Sequence, residues 1–361
     1  MIPILYESTE TEFTSCGLGE LADALSCTVT LERNGLSFLE MEYPTDSLRY
    51  PDIAIGRMIK AQTSHQMYDV FVIESIEYSE DGTVQIYAPQ YACLRLMSAI
   101  MFTEDESYNW TKGAGASGDD VLDIMTVLRD KIRPEITEVT DEHGITIVPS
   151  LTTRSNISRP VGTTVNVEWG KAQPTAYDVI KAVADALNAE IYWFLNHVVI
   201  FQQVGEDTGL EIRYGLNMLD LDAEIDGEPY ATAAMPYGSN NLSNLARADT
   251  PGAFPFFRMA IADEGRSATS KLAESQTLKT AIKVKFDPYG NALNADVDSG
   301  WLNRLGVCDI VTVCHPQINL RQKTKIVKAK FNTLTERFES VDIGEITQDI
   351  TDTIAALVRG K

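Results

Sequence analysis

Fifty-two carboxylates, four histidines and five cysteines are the side chains of this 361-residue chain that could carry out chemistry. A glycoside-cleaving pair of carboxylates is defined by its separation in the fold, and among so many acids an arbitrary pair carries no information. The histidines, His65, His143, His197 and His315, are scattered. The cysteines, Cys16, Cys27, Cys93, Cys308 and Cys314, are odd in number and show no C-x-x-C spacing, which reads as free thiols in a protein folded under reducing conditions. Cys314 and His315 are adjacent. Neighbouring side chains on a strand point to opposite faces, so these two read as structural rather than as metal ligands. His197 lies between two apolar runs and reads as a turn residue. There is no H-E-x-x-H, no G-x-S-x-G and no cysteine with a histidine placed to activate it. The run Gly113-Ala114-Gly115-Ala116-Ser117-Gly118 resembles a phosphate loop only in composition. It lacks the Gly-Lys-Ser/Thr ending and runs into Asp119-Asp120, which repel an anion. It reads as a flexible loop in which Ser117 or Asp119 caps the next helix. The expectation is a protein with no catalytic residues, no metal and no cofactor.

Bulk properties narrow the class. The net charge of −22 should repel nucleic acid and anionic membranes, and the hydrophobic content of 44% is ordinary for a folded protein. The start, Met1-Ile2-Pro3-Ile4-Leu5-Tyr6-Glu7, has neither the basic region nor the apolar run of a signal peptide, and no stretch approaches the length of a membrane span. The length argues for two or more domains.

The pattern of elements is mainly β, in an α+β chain. Gly17 to Leu25 has helical spacing of Leu18, Leu21, Ala22 and Leu25. Ser26–Arg33 and Leu36–Tyr43 are alternating runs joined by Asn34-Gly35, a two-residue hairpin signal that asks for positive φ at both positions. A strand at Met58–Ala61 and a pair at Val70–Tyr78 and Thr83–Ala88, turning at Asp81-Gly82, complete a first antiparallel barrel over 1–89. Residues 90–210 read as an α+β domain. Within it a helix spans Val121–Ile132 and a strand Ile145–Val148. A second helix opens at Thr175 with Asp178 in a capping-box position, and a hairpin pairs Glu190–Phe194 with Val198–Gln202.

From Glu211 the first pattern recurs. Leu219–Ile225, Asp226-Gly227 and Glu228–Met235 repeat the first hairpin, and the turn at Leu305-Gly306 leads to strands at Asp309–Val313, Lys325–Phe331 and Glu336–Ile343. The interval from Pro236 to Gly306 exceeds its counterpart, Pro44 to Gly56, by 58 residues. This reading gives a second barrel over 211–238 and 281–345, an inserted subdomain over 239–280 with a helix at Thr269–Thr277, and a C-terminal exit helix over 346–361. Phe254, Phe256 and Phe257, set among prolines, form either the subdomain's core or a contact to a neighbouring subunit.

Several of these segments together resemble the N-terminal hub region of the phage minor structural, or prophage tail (tail-associated lysin), protein family. They are Ser26–Thr30 with Asn34-Gly35, Leu39–Pro44, Ile212–Asn217, Met235–Gly238, Leu305-Gly306 with Asp309, Val311, Val313 and Pro316, and Leu334–Arg337. The resemblance covers nearly the whole chain in order. It implies two similar β-barrels and two smaller α+β domains per chain, and a homotrimeric ring whose six barrels match a sixfold tube or distal tail ring on one side and a threefold tip on the other. The implied partners are the distal tail protein, the tail tube, the tape measure protein and tip or receptor-binding proteins, with genome DNA passing through unbound. The implied location is the virion tail tip, assembled in the bacterial cytoplasm. Many relatives continue into a peptidoglycan-cleaving domain, whereas this sequence stops at Lys361, and no residue pattern supports that activity here. The alternatives are a cell-wall hydrolase and a carbohydrate-binding tip module using Trp110, Trp169, Trp193 and Trp301, although such tryptophans are more often core residues.

Overall fold

The computed structural model describes residues 2–64, 67–98, 105–114, 119–131, 152–194, 197–226, 230–238, 242–250, 255–262, 267–275, 279–286, 305–318 and 320–343. The chain forms two compact units. One takes Met1–Thr208, Asn294–Ile310 and Ile326–Val341, the other Gly209–Leu293, Val311–Lys325 and Asp342–Lys361.

The first unit begins with a β module. Its strands are β1 (Ile4–Tyr6), β2 (Gly19–Glu20), β3 (Ser26–Glu32), β4 (Phe38–Pro44), β5 (Met58–Gln62), β6 (Tyr68–Val72), β7 (Ser75–Tyr78) and β8 (Thr83–Pro89). One sheet runs β2-β1-β5-β6, and a second contains β3-β4-β8-β7. Period-two alternation explains how they pack. Cys27, Val29, Leu39, Met41, Val84 and Ile86 face inward from the second sheet, and meet Leu5, Ile59, Ala61 and Phe71 from the first in one buried core. The Val70–Tyr78 run is not one strand. It breaks at Ile73-Glu74, with β6 pairing β5 and β7 pairing β8. No helix forms over Gly17–Leu25. Gly17 and Gly19 have φ of 51° and 134°, and a Cβ at Gly17 would lie 2.3 Å from the carbonyl oxygen of Leu5, so the segment lies against β1 instead.

Two turns differ from expectation in type. At Asn34-Gly35 only Asn34 has positive φ (52°), and the bond closing the turn runs from Gly35 N to Glu32 O at 3.2 Å. At Asp81-Gly82 only Gly82 is left-handed (φ 84°), and it donates to Ser79 O while Ser79 N bonds Thr83 O. That arrangement is a turn followed by a glycine bulge, not a mirror-image two-residue turn. The Asp81 carboxylate accepts from the Thr83 N–H and hydroxyl.

The same unit continues through α1 (Tyr91–Met97), β9 (Ser107–Thr111), α2 (Asp120–Lys131), β10 (Thr152–Ser155), β11 (Thr164–Glu168), α3 (Ala176–Ala186), β12 (Glu190–Phe194) and β13 (His197–Phe201). The expected strand at Ile145–Val148 lies outside the described residues. Helix α3 carries the full capping box: Thr175 Oγ1 accepts from Asp178 N at 3.2 Å, and Asp178 accepts from Thr175 N at 2.8 Å. Its stripe of Ile180, Val183, Ala184 and Leu187 is buried in a core with Val165, Ile191, Trp193, Val198 and Ile200. Asp119 caps α2 through Leu122 N; Ser117 lies outside the described residues. His197 opens β13 opposite Phe194 rather than occupying the turn.

The second unit contains β14 (Asp207–Arg213), β15 (Met218–Asp226), β16 (Ala233–Pro236), β17 (Ala246–Arg247), β18 (Met259–Ala262), α4 (Ala268–Ser275), β19 (Lys279–Phe286) and β20 (Ile310–His315). Strand β15 pairs along its length with β19, from Met218↔Phe286 to Asp226↔Lys279. It does not pair with β16, as a turn at Asp226-Gly227 would require. Asp226 ends β15, and Gly227 lies outside the described residues. Strand β16 belongs instead to a small sheet ordered β17-β16-β18, covered by α4 through Ala234, Ala268 and Leu272. The excursion from the β15–β19 ribbon therefore leaves after Asp226 and returns at Lys279.

The last strands are β21 (Leu320–Asn332) and β22 (Arg337–Ile343). In the second unit the order is β14-β20-β21. In the first unit Lys328–Asn332 of β21 pairs antiparallel with Thr28–Glu32 of β3. The late hairpin was expected wholly within a second barrel, but this half of it extends the first module's sheet. Thr333 seals the join, donating from N to Cys27 O and from Oγ1 to Gln62 O, each at 2.9 Å.

Candidate functional site

The first unit's sheet β21-β3-β4-β8-β7 has an inner face in the core and an outer face built mainly of polar side chains. Register fixes which residues share that outer face. Thr28, Glu40, Tyr87 and Ser75 lie in one row across the strands, and Ser26, Glu42, Gln85 and Glu77 in the next. Glu40, Gln85 and Glu77 are exposed. Glu339 joins the face by accepting from Asn332 Nδ2 at 2.8 Å and Thr28 Oγ1 at 3.4 Å. Gln85 stands between Glu42 and Glu77, so a neutral amide separates two like charges in the same row. Burial, then the nearby Glu74 and Glu40, pushes the Tyr87 phenol above its ordinary value. Lys328 and Lys330, opposite Glu32 and Thr30, border the carboxylates on β21. Such a face repels phosphate and offers no geometry for bond cleavage.

A second feature is the seam within the first unit between the β3–β4 turn and strand β12. Asn34 is left-handed at the turn's tip, and its side-chain amide bonds backbone on both sides of Glu190. Nδ2 donates to Ala189 O, and Oδ1 accepts from Ile191 N, both at 2.9 Å. Arg33 pairs with Glu190 at 3.2 Å. Gln90 donates from Nε2 to Asp69 and to Trp193 O, and accepts from Cys93 Sγ at 3.3 Å. Arg33, Asp69, Gln90 and Trp193 border a cavity of about 210 Å³ that Thr63, Ser64 and Asp309 also line. Asp309 accepts from Gly306 N at 2.8 Å and Glu206 N at 2.9 Å. Burial raises its carboxyl above the ordinary carboxylate range; the two N–H bonds oppose that rise, and Glu206 and Glu190 add to it. Gly306 is thus held by Asp309, while the positive φ of that turn (79°) falls on Cys308.

Among the described residues, no other arrangement points to catalysis. Among the described residues no three of His, Cys, Asp and Glu gather as a metal site. The five cysteines are free, with Cys27, Cys93 and Cys308 buried. Burial pushes the Cys27 thiol up to about 12, away from a reactive thiolate. His315 is buried with its ring 4.3 Å from that of Tyr214, and Cys314 falls on the other face of β20. Trp110 and Trp193 are core residues, and Trp169 is half-buried and bonded to Asp105 O, so these three offer no open sugar platform. Trp301 and Phe254 lie outside the described residues. Phe256 and Phe257 are 60% and 38% exposed, with the Arg247 guanidinium 4.8 Å from the Phe257 ring. The roles of Asn34 and Arg33 at the seam were not read from sequence, because Asn-Gly is a turn signal in its own right.

No family model and no curated relative matches the sequence. Solved structures do. Prophage tail protein gp18 of Listeria monocytogenes is similar over 99% of both chains, at a TM-score of 0.52 and 11% identity. The 43 kDa tail protein of prophage MuSo2 of Shewanella oneidensis matches over 91% of this chain and 94% of its own, at 0.55 and 11%. A tail protein of Neisseria meningitidis matches over 98% of both, at 0.51 and 11%. At this identity the likeness concerns architecture, and it extends from one end of the chain to the other: the protein has the fold of phage tail proteins.

Proposed function

We propose that the protein is the structural hub of a phage or prophage tail tip: a homotrimeric adaptor joining a sixfold tube or distal tail ring to a threefold tip, around a passage for DNA. The observation that carries this reading is the full-length likeness to three tail proteins, each matched over nearly its whole chain. Two β modules per chain are what such an adaptor requires. Strands β1 to β8 form the first module, and β14, β15, β19 and β20 with the start of β21 are proposed as the second. The acidic face carrying Glu40, Glu42 and Glu77 suits a wall past which phosphate must slide without sticking. Phe256 and Phe257, with Phe254, are proposed as a further contact to neighbouring tail subunits. The distal tail protein, tube and tape measure protein are the partners this role implies, at the virion tail tip.

Light scattering tests the reading. A homotrimer of the 39.9 kDa chain has a mass of about 120 kDa. A sample that stays at the monomer mass at high concentration, with or without the distal tail ring, contradicts it.

A further inference from the structure

Two exposed patches of opposite charge, each centred on apolar side chains, lie on one chain. In the first unit, Leu48 is 95% exposed, with Leu25 at 58% and Tyr78 at 74%. Their loops meet at one end of the β3-β4-β8-β7 sheet. Leu25 N bonds Glu42 O, Thr45 N and Oγ1 both bond Gly82 O, and Ser47 Oγ donates to Asp23 at 2.7 Å. Tyr43 Oη lies 2.8 Å from Ser47 Oγ, and Tyr50 N closes the Leu48 loop onto Ser47 O. Leu48 is therefore held on a hydrogen-bonded loop, and its docking orders little new chain. The surrounding rim is acidic, with Asp23, Asp46, Glu80 and Asp81 exposed beside Arg49.

The second unit carries a counterpart. Arg213 and Arg321 both pair with Glu211, so two guanidinium groups meet one carboxylate, and Lys323 is exposed two residues along β21 from Arg321. The adjoining turn exposes Tyr214 and Leu216 at 49% each. Asn217, buried beneath it, accepts from Arg213 N at 2.7 Å and donates to Glu211 O at 3.0 Å, which fixes that turn.

We infer that these patches meet between copies, the acidic Leu48 rim of one chain seating on the basic Tyr214–Leu216 turn of the next. The occupant is a second copy, because this chain, at a net charge of −22, carries on itself the cationic apolar surface that an acidic apolar rim needs. The contact is head-to-tail, so each copy uses both patches, and in the proposed trimer three such contacts complete the ring. This inference rests on the trimer reading and names the surfaces that would form the trimer.

Charge reversal tests it. Asp46 and Glu80 lie on the rim and Arg321 and Lys323 on the basic patch, all exposed. D46K/E80K and R321E/K323E should each raise the trimer dissociation constant by about tenfold or more at low salt, with an unchanged thermal melt of the dissociated chain. The fourfold variant, with both reversals in one chain, should recover the trimer, and Leu48→Asp should dissociate it at any salt. Trimers unaffected by either reversal, or no recovery in the fourfold variant, overturn the inference and leave the hub reading standing. A wild-type chain that is monomeric under all conditions overturns both.

Discussion

Asn34 is the residue whose meaning changes most between sequence and fold. Asn-Gly marks a turn because both residues tolerate positive φ, but here only Asn34 uses that freedom, and its amide clamps the backbone at Ala189 and Ile191. Asn34→Gly keeps the backbone conformation and deletes two hydrogen bonds. It should cost about 1–3 kcal/mol in a denaturant melt. Asn34→Ala adds the strain of a left-handed Cβ and should cost more. Asp309 is the second such residue. Its folded carboxyl is raised by burial, so above that raised value folding carries a buried charge that two N–H bonds only partly offset. The native state then binds more protons than the unfolded one, and stability falls as pH rises from the unfolded value of about 3.9 through the folded one. Asp309→Asn should flatten that part of the stability-versus-pH curve, measured by urea melts from pH 4 to 7. It should also lose some stability throughout, because Glu206 N and Gly306 N bond different carboxylate oxygens, and in Asn one of those positions becomes a donor.

At the scale of elements, what was legible followed local pattern, and what was not followed distant pairing. Helix α3 was readable because Thr175, Asp178 and the apolar stripe lie within one short window. Strands β3, β4, β8 and β20 were readable from alternation. The break at Ile73-Glu74 was hidden, because a strand that changes sheets keeps its β composition. The partners of β15 and β21 were hidden because Asp226↔Lys279 and Lys328↔Glu32 join residues far apart in the chain. Local spacing cannot distinguish those pairings from a nearby hairpin. The acidic row was hidden for the same reason, since it exists only once register aligns Glu42, Gln85 and Glu77. Helix α2 hides another such tie. Lys112 Nζ lies 2.6 Å from Asp120 Oδ1, with side chains 6% and 0% exposed, and also donates to Ser158 Oγ at 3.0 Å. Asp120 in turn accepts from Arg159 N at 2.7 Å. Lys112→Met strands a buried carboxylate and should cost about 3–5 kcal/mol, whereas Lys112→Met combined with Asp120→Asn should recover part of that loss. Equal stability of the single and double variants would show that the pair acts independently of its charge.

At the scale of the whole molecule, the proposed hub role makes its demand on a surface rather than on a catalytic site. A wall along a DNA path must present neither cations that release counterions from phosphate nor apolar shelves on which bases stack. In the proposed role, Glu40 and Glu42 on β4 and Glu77 on β7, on either side of β8, suit that requirement, with Lys328 and Lys330 kept to the β21 border. The triple change E40K/E42K/E77K reverses three charges without touching a core residue, so the melt should be little altered. The wild-type protein should leave duplex DNA unretarded in a gel at low salt. The variant should retard it, with an affinity falling steeply as salt rises, since each phosphate neutralised contributes a slope of about −0.9 in log–log terms. Placed in an assembled tail, the same variant should slow DNA release while leaving tail length and number unchanged. A variant that binds DNA in the gel yet releases the genome at the wild-type rate would place this face away from the path, and would assign the acidic row to solubility alone.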